Sequence, residues 1–224
     1  MQVPSKNSSI EPADSVSETE LHQNLIRDER LPLNRYVLFF LLAISGAAAD
    51  LITKSYCFNN FFDPTVTDRP QSVHWWVDGI FGIQTSTNPG ALFGIGSGYS
   101  YVFAALSVFA LLGVLIWLFV FKAAWDRWLT VALGLITGGI IGNLYDRIGW
   151  GYMPTYPKEI RTNVRDWILF RLEGIPMFDP WPNFNIADVL LVTGAIMLFL
   201  HVFFYAEPDQ SSYVESVTNP LDGS

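Results

Sequence analysis

Cysteine is almost absent from this chain: Cys57 is the only one in 224 residues. A lone cysteine cannot close an internal disulfide and has no companions at zinc-ligand spacing. It also lacks the small residues that should precede a lipid-modified cysteine. Histidine is nearly as scarce. His22, His74 and His201 make no metal pattern, and neither HExxH nor GxSxG occurs. The zinc and serine routes to hydrolysis therefore have no sequence support. Charge is thin as well: Asp, Glu, Lys and Arg make up 15% of the residues, where a soluble domain carries about 25%. Positive charge is the scarcer sign, with 13 Lys and Arg against 21 Asp and Glu, and nothing resembles a basic nucleic-acid surface. No cleavable signal peptide is evident, because the first apolar run starts only near Tyr36 and runs into Asp50.

What the chain has in quantity is apolar sequence. Half of its residues are hydrophobic, and they fall in long runs. The pattern predicts an α-helical integral membrane protein with four transmembrane helices, spanning about 36–52, 99–121, 128–145 and 185–205. Residues 31–205 form the membrane domain in this reading. Residues 1–30 and 206–224 are polar tails that carry −7 of the net charge of −8, and such acidic segments are expected to be disordered. Between the first two spans lies a loop rich in aromatics, including Trp75 and Trp76, suited to the membrane–water interface. Within it, Ile80–Thr85 ahead of Asn88-Pro89-Gly90 reads as a short strand and a turn, a small extramembrane β-containing platform. Gly134, Gly138 and Gly142 recur once per helical turn in the third span and suit close helix packing. No internal repeat is visible. Arg35 and Lys54 flank the first span and are placed to reach headgroups.

The stretch from Gly138 to Asp188 concentrates the polar groups. Asn143, Asp146 and Arg147 share one helix face at i, i+3 and i+4. Asn185 and Asp188 open the last span, and Asp166, in NVRDWILF, lies between that pair and the Asn143–Arg147 group. Each has a plain structural alternative. Asp146 and Arg147 could pair to close a helix end. Asn185 and Asp188 could cap the next helix. Asp166 could be a surface acid paired with Arg165, and Asp50 an interfacial acid neutralised by Lys54 one turn later. The functional reading rests on the cost of placing ionisable groups at a membrane boundary. Two carboxylates at one site tend to share a proton. One can take a proton from water while the other protonates a carbonyl oxygen, giving metal-free amide hydrolysis without a covalent intermediate. A small transporter with acids along a proton path is the rival, as is a non-catalytic membrane binding protein. A transporter should place its ionisable groups near mid-membrane rather than at helix ends on one side.

Five stretches in order, DLITK at 50–54, NPGALFG at 88–94, GGIIGNLYDR at 138–147, VRDWI at 164–168 and FNIAD at 184–188, carry a resemblance. Over roughly residues 36–205 the chain resembles lipoprotein signal peptidase, or signal peptidase II, a family of four-helix bacterial membrane aspartyl proteases. The resemblance implies cleavage of prolipoproteins just before a diacylglyceryl-modified cysteine, with no cofactor and no metal. It implies Asp166 and Asp188 as the catalytic pair. It assigns Asn88, Gly90, Asn143, Arg147 and Asn185 to positioning substrate or bracing that pair, with Asp50 and Asp146 more structural. In the family the first catalytic Asp follows the Asp of the DR pair closely, and counting that way lands on Thr155, which cannot serve. Residues 152–163 are therefore read as holding an insertion, with Asp166 in the role. The resemblance further implies a multi-pass protein of the bacterial inner membrane with cytoplasmic termini and a periplasmic active site. Its partners are then prolipoproteins and membrane lipids, not nucleic acid, and a monomer is expected to suffice.

Overall fold

The computed structural model describes residues 31–66, 69–90, 96–152, 154–179 and 181–204. The two expected polar tails and most of the NPGALFG stretch lie outside the described residues. Four helices are long and apolar enough to cross a bilayer. Helix α1 spans Leu33–Phe61, α2 Ser100–Leu115, α3 Arg127–Arg147 and α4 Ile186–Phe204. Helix α2 runs on through a π-helical turn at Ile116–Val120. It joins α3 through a single 3-10 turn at Ala123–Trp125, entered by Lys122 at a left-handed φ of 59°.

Helix α1 is the main departure from the expected spans. Apolarity stops near Ile52, yet the helix continues to Phe61. Its 29 residues extend about 43 Å at 1.5 Å per residue, well beyond a hydrocarbon core of about 30 Å. The extra turns are held by packing. Cys57 and Phe58 are buried against Ile83, Trp167 and Ile168, and burial of that face stabilises helix where the sequence alone reads as a boundary.

Three strands form an antiparallel sheet in the order β1-β2-β3, with β1 at His74–Val77, β2 at Phe81–Asn88 and β3 at Val164–Phe170. The segment expected as a tryptophan-rich loop therefore contributes a strand. The predicted strand at Ile80–Thr85 extends three residues further and takes in Asn88, whose Oδ1 accepts the Gly90 N–H at 3.0 Å and sets the following turn. The β2–β3 register is irregular between Ile83 and Ser86, and beyond that point Asp166 sits opposite Ser86. Three steps along β2 there match two along β3, so the extra residue is in β2 and changes which of its side chains share a face with Asp166. An isolated bridge between Ile168 and Phe184 brings the chain back to β3 immediately before α4 begins. The C-terminal ends of α1 and α3 and the N-terminal end of α4 meet this sheet.

Small residues let the helices close. A Cβ on Gly138 would lie 3.1 Å from the Ala43 carbonyl of α1, whereas one on Gly139 would lie 2.5 Å from the Ala187 carbonyl of α4. The expected glycine stripe therefore splits. Gly134 and Gly138 meet α1, Gly139 meets α4, and Gly142 sits where α1 and α4 converge, its missing Cβ leaving room for the Asp50 carboxylate. Replacing Gly139 by Ala forces backbone against backbone and should destabilise by about 1–3 kcal/mol. Gly113→Ala in α2, where the new Cβ meets nothing within 4 Å, should be neutral or slightly stabilising. Thermal unfolding of both variants in detergent checks the contrast.

Candidate active site

Asp188 is the third residue of α4, and Asn185 immediately precedes the helix. The Asp188 N–H donates to Asn185 Oδ1 at 2.9 Å, and the Asn185 N–H donates back to Asp188 Oδ2 at 3.1 Å. This is a capping box, with two otherwise orphaned helix-end donors satisfied reciprocally. The capping alternative is thus correct for both residues, but it is incomplete. The other Asp188 oxygen accepts the Asn143 amide at 2.9 Å. The Asn185 amide nitrogen, unused by the cap, donates to Asp166 Oδ1 at 2.6 Å and to Asn143 Oδ1 at 3.3 Å.

Asp166 lies on β3 and is 3% exposed. It is not a surface acid, and its neighbour Arg165 does not pair with it. Successive strand residues point to opposite faces, and Arg165 turns to Asp146, Nε to Oδ1 at 2.8 Å. Burial pushes the Asp166 carboxyl well above the usual carboxylate range, and the Asp188 charge pushes it the same way. Hydrogen bonds from the Asn185 and Asn88 side chains oppose that shift without cancelling it. The structure therefore gathers Asp166, Asp188, Asn88, Asn143 and Asn185 into one connected set, with Asn185 touching both aspartates.

Beneath this set lies a second layer. Lys54 Nζ meets Asp50 Oδ2 at 2.7 Å, Asp146 Oδ2 at 3.0 Å and Asn143 Oδ1 at 2.9 Å. Lys54, Asp50 and Asp146 are completely buried. With Arg165 on the far side of Asp146, two cations balance two anions. Lys54 was expected to reach headgroups; instead it turns inward, because the neutralising acids and the Asn143 carbonyl are all on the bundle side. Asp50 also accepts the Ala187 N–H at 2.9 Å, so a side chain of α1 satisfies the first turn of α4. The expected Asp146–Arg147 pair does not form. Arg147 reaches the Gly90 carbonyl at 3.2 Å and stacks over Phe103, 4.9 Å from its ring centre, tying the turn after β2 to α3 and α2.

Sequence reasoning missed the roles of Lys54 and Arg165 in supporting the site. The i, i+4 spacing of Asp50 and Lys54 was the available signal for the first. Nothing local joins Arg165 to Asp146, 19 residues away. Among the described residues, no group of three or more His, Cys, Asp or Glu side chains is arranged to hold a metal ion.

Two cavities flank the aspartates. One, of about 800 Å³, lies beside the sheet and reaches Asp166. The other, of about 480 Å³, runs along α3 and α4 past Asn143, Arg147 and Asp188 to Leu191 and Val192. They share Asn88, Trp181, Pro182 and Asn183, and one aspartate opens onto each.

The fold is that of solved bacterial membrane enzymes. One structure described as a bacterial membrane enzyme solved by the in meso method superposes with a TM-score of 0.56 at 24% identity, over 74% of this chain and 92% of that one. A second gives 0.55 at 22% identity, over 83% and 93%. The sequence comparisons narrow this class. The profile of the family described as Signal peptidase (SPase) II matches residues 42–204. The lipoprotein signal peptidase of Rhodopirellula baltica is 54% identical over 172 residues, 77% of this chain and 74% of that protein. The lipoprotein signal peptidase of Geobacillus thermodenitrificans is 30% identical over 178 residues, 80% and 97% respectively. The chain belongs to the signal peptidase II family, and it is a membrane protease of the aspartic type.

The buried charges generate a stability prediction. Lys54→Met leaves the buried Asp50 without a counter-charge and Asp146 with Arg165 alone, and should cost about 3–5 kcal/mol, the usual penalty for breaking a buried pair. Lys54→Met combined with Asp50→Asn restores the balance of charge and should recover most of that loss. Thermal unfolding of the two proteins in detergent, with the folded yield of each, measures the difference.

Proposed function

We propose that this protein cleaves the signal peptide from prolipoproteins on the N-terminal side of a diacylglyceryl-modified cysteine, with Asp166 and Asp188 as the catalytic pair. The observation that carries this reading is Asn185, whose side-chain amide donates to the Asp166 carboxyl and whose backbone N–H donates to the Asp188 carboxylate, so that one residue braces an acid from the sheet and an acid from the last helix, each opening onto a different cavity. Water and a lipid-anchored substrate can meet only at such a junction. The accompanying assignment is a bacterial inner-membrane protein, active as a monomer, with the sheet and the acids on the periplasmic face. Arg35, Lys122 and Arg127 lie at the helix ends away from the sheet, which supports cytoplasmic termini under the positive-inside rule. Family membership does not favour the transporter alternative.

The mechanism follows from the asymmetry of the pair. Both Asp188 oxygens accept N–H donors, the arrangement of an acceptor-only carboxylate. Asp166 is buried and holds its proton tightly. Asp188 takes a proton from water as the oxygen attacks the scissile carbonyl carbon, and Asp166 gives its proton to the carbonyl oxygen. The resulting gem-diol collapses: its C–N bond breaks, the proton on Asp188 passes to the leaving amine, and a hydroxyl proton returns to Asp166. The products are a signal peptide carboxylic acid, which then ionises to water, and a free amine on the lipidated cysteine. Asn143 keeps Asp188 aimed while Lys54 fixes the orientation of the Asn143 amide. Asn88, Arg147 and Gly90 form the wall against which substrate lies, and Asp50 and Asp146 anchor the cation below.

Asp166→Asn and Asp188→Asn should each reduce cleavage of a lipidated prolipoprotein by at least about a thousandfold. Normal turnover by the Asp166 variant would sink the assignment of the insertion at 152–163. Chelators should leave activity intact.

The pH dependence should be bell-shaped. Its alkaline limb is the loss of the Asp166 proton as pH rises through the raised value of that carboxyl. The same shift has a stability consequence. The folded state binds the Asp166 proton more tightly than the unfolded chain does. Stability from this group is therefore full below the ordinary aspartate range and is lost as pH rises through the raised folded value. Asp166→Asn, which has no such proton to lose, should gain on the wild type in melting temperature as pH is increased.

A further inference from the structure

The sheet-side cavity is larger than a water channel to the acids needs to be, and its walls are arranged in an unusual way. Strand β1 pairs with β2 only at Phe81–Ile83, while β2 continues to Asn88, paired with β3 on its other side. Residues 84–88 thus have no strand partner on the β1 side among the described residues. The segment leading into β1 does run alongside, but at a distance. Gln84 reaches it with its side chain, Nε2 to the Gln71 carbonyl at 2.9 Å, where a paired strand would use backbone. Gln71 in turn holds the preceding loop through Asp63 and Val66. The space between is the 800 Å³ cavity, and every residue from Gln84 to Pro89 lines it. A strand seen face-on contributes alternate residues, whereas one seen edge-on contributes consecutive residues. The cavity therefore takes in the edge of β2 and continues over the sheet as far as Asp166 on β3.

The two aspartates divide between the cavities: Asp166 lines this one and Asp188 lines the one along α3 and α4. A peptide bond held at the pair has one flank in each. The helix-lined cavity, walled by Val189, Leu191 and Val192 within a membrane span, suits the apolar flank. The sheet-side cavity, with Arg69 and Glu159 at its rim, suits the polar one.

The geometry points to a binding site for the mature part of the substrate: the residues after the lipidated cysteine lie as an extended strand along the uncovered edge of β2, between Gln84–Asn88 and the wall at Pro70 and Gln71. This rests on the proposed prolipoprotein cleavage and specifies how the leaving segment is held. The edge from Gln84 to Asn88 is about 13 Å long, with the Gln84 carbonyl already taken by the Asn183 amide at 2.7 Å, and it accommodates about four substrate residues. Recognition through backbone groups is tolerant of sequence, and rim charges of opposite sign select for neither. An enzyme with many substrates of unrelated mature sequence requires both properties.

The test uses the full-length protein in detergent with lipidated prolipoprotein peptides ending one, two, four or six residues past the cysteine. The value of kcat/KM should rise by about tenfold or more up to about four residues and then level, a gain of about 1.4 kcal/mol. N-methylation of backbone amides after the cysteine should impair cleavage at alternate positions, while alanine replacement of the same side chains should not. Pro70→Trp, which fills the groove from its far wall, should raise KM for the longer peptides and leave the shortest unchanged, so that the shortest peptide reports an intact active site. Equal kcat/KM at every length, or N-methyl effects without a period of two, would overturn the groove assignment while leaving the proposed activity standing. Failure to cleave any of the peptides would overturn the proposed activity itself.

Discussion

The ammonium of Lys54 is the point on which this structure turns. It lies in a helix that crosses the membrane, completely buried, against two equally buried carboxylates. Removing such ions from water costs several kcal/mol each, and only close counter-charges and satisfied hydrogen bonds offset it. Those contacts also determine what can be built nearby. Through Asp50 the cation is linked to the first turn of α4, through Asp146 to Arg165 on β3, and through Asn143 to Asp188. Three helices and the sheet are thereby held in register around one charge. The pair proposed to cleave substrate is assembled on top of that register.

The same side chains serve structure and chemistry at once. Asn185 ends the approach to α4 with an ordinary capping interaction, and its remaining donor faces Asp166. An amide has separate donor and acceptor ends, so a single residue can close a helix and brace an acid without compromise. Asp188 likewise accepts from the helix end on one oxygen and from Asn143 on the other. The glycines of α3 make this possible mechanically, since only their missing side chains let α1 and α4 approach closely enough for Asp50 to reach Ala187. Cap, charge network and close packing therefore depend on one another.

The placement of the acids between two unlike cavities connects this arrangement to the work of a membrane protease. A buried carboxyl retains a proton at a pH where an exposed one does not, and it can act only if water still reaches it. The sheet supplies both conditions: β3 buries Asp166, and the departure of β1 from β2 after Ile83 leaves an opening on the polar side. The irregular register between Ile83 and Ser86 joins these two features, as such irregularities often do beside active sites.

Much of this was legible in the sequence. Four membrane helices and the polar stretch from Asn143 to Asp188 follow from residue types and their order, because lipid demands apolar spans and makes stray carboxylates costly. Local geometry also foretold that Asp50 and Lys54 would meet and that Asn185 could cap a helix. The sequence did not reveal the inward turn of Lys54, the pairing of Asp146 with Arg165 rather than Arg147, the continuation of α1 to Phe61 or the strand at His74–Val77. Each depends on groups distant along the chain: the acids that draw Lys54 inward, the strand that carries Arg165 beneath Asp146, and the buried face that Phe58 shares with Trp167. Composition and spacing decided that the chain would enter a membrane with a pair of acids at one end. Only the tertiary fold decided which partner each charge would have, because burial makes that choice through contacts no local pattern contains.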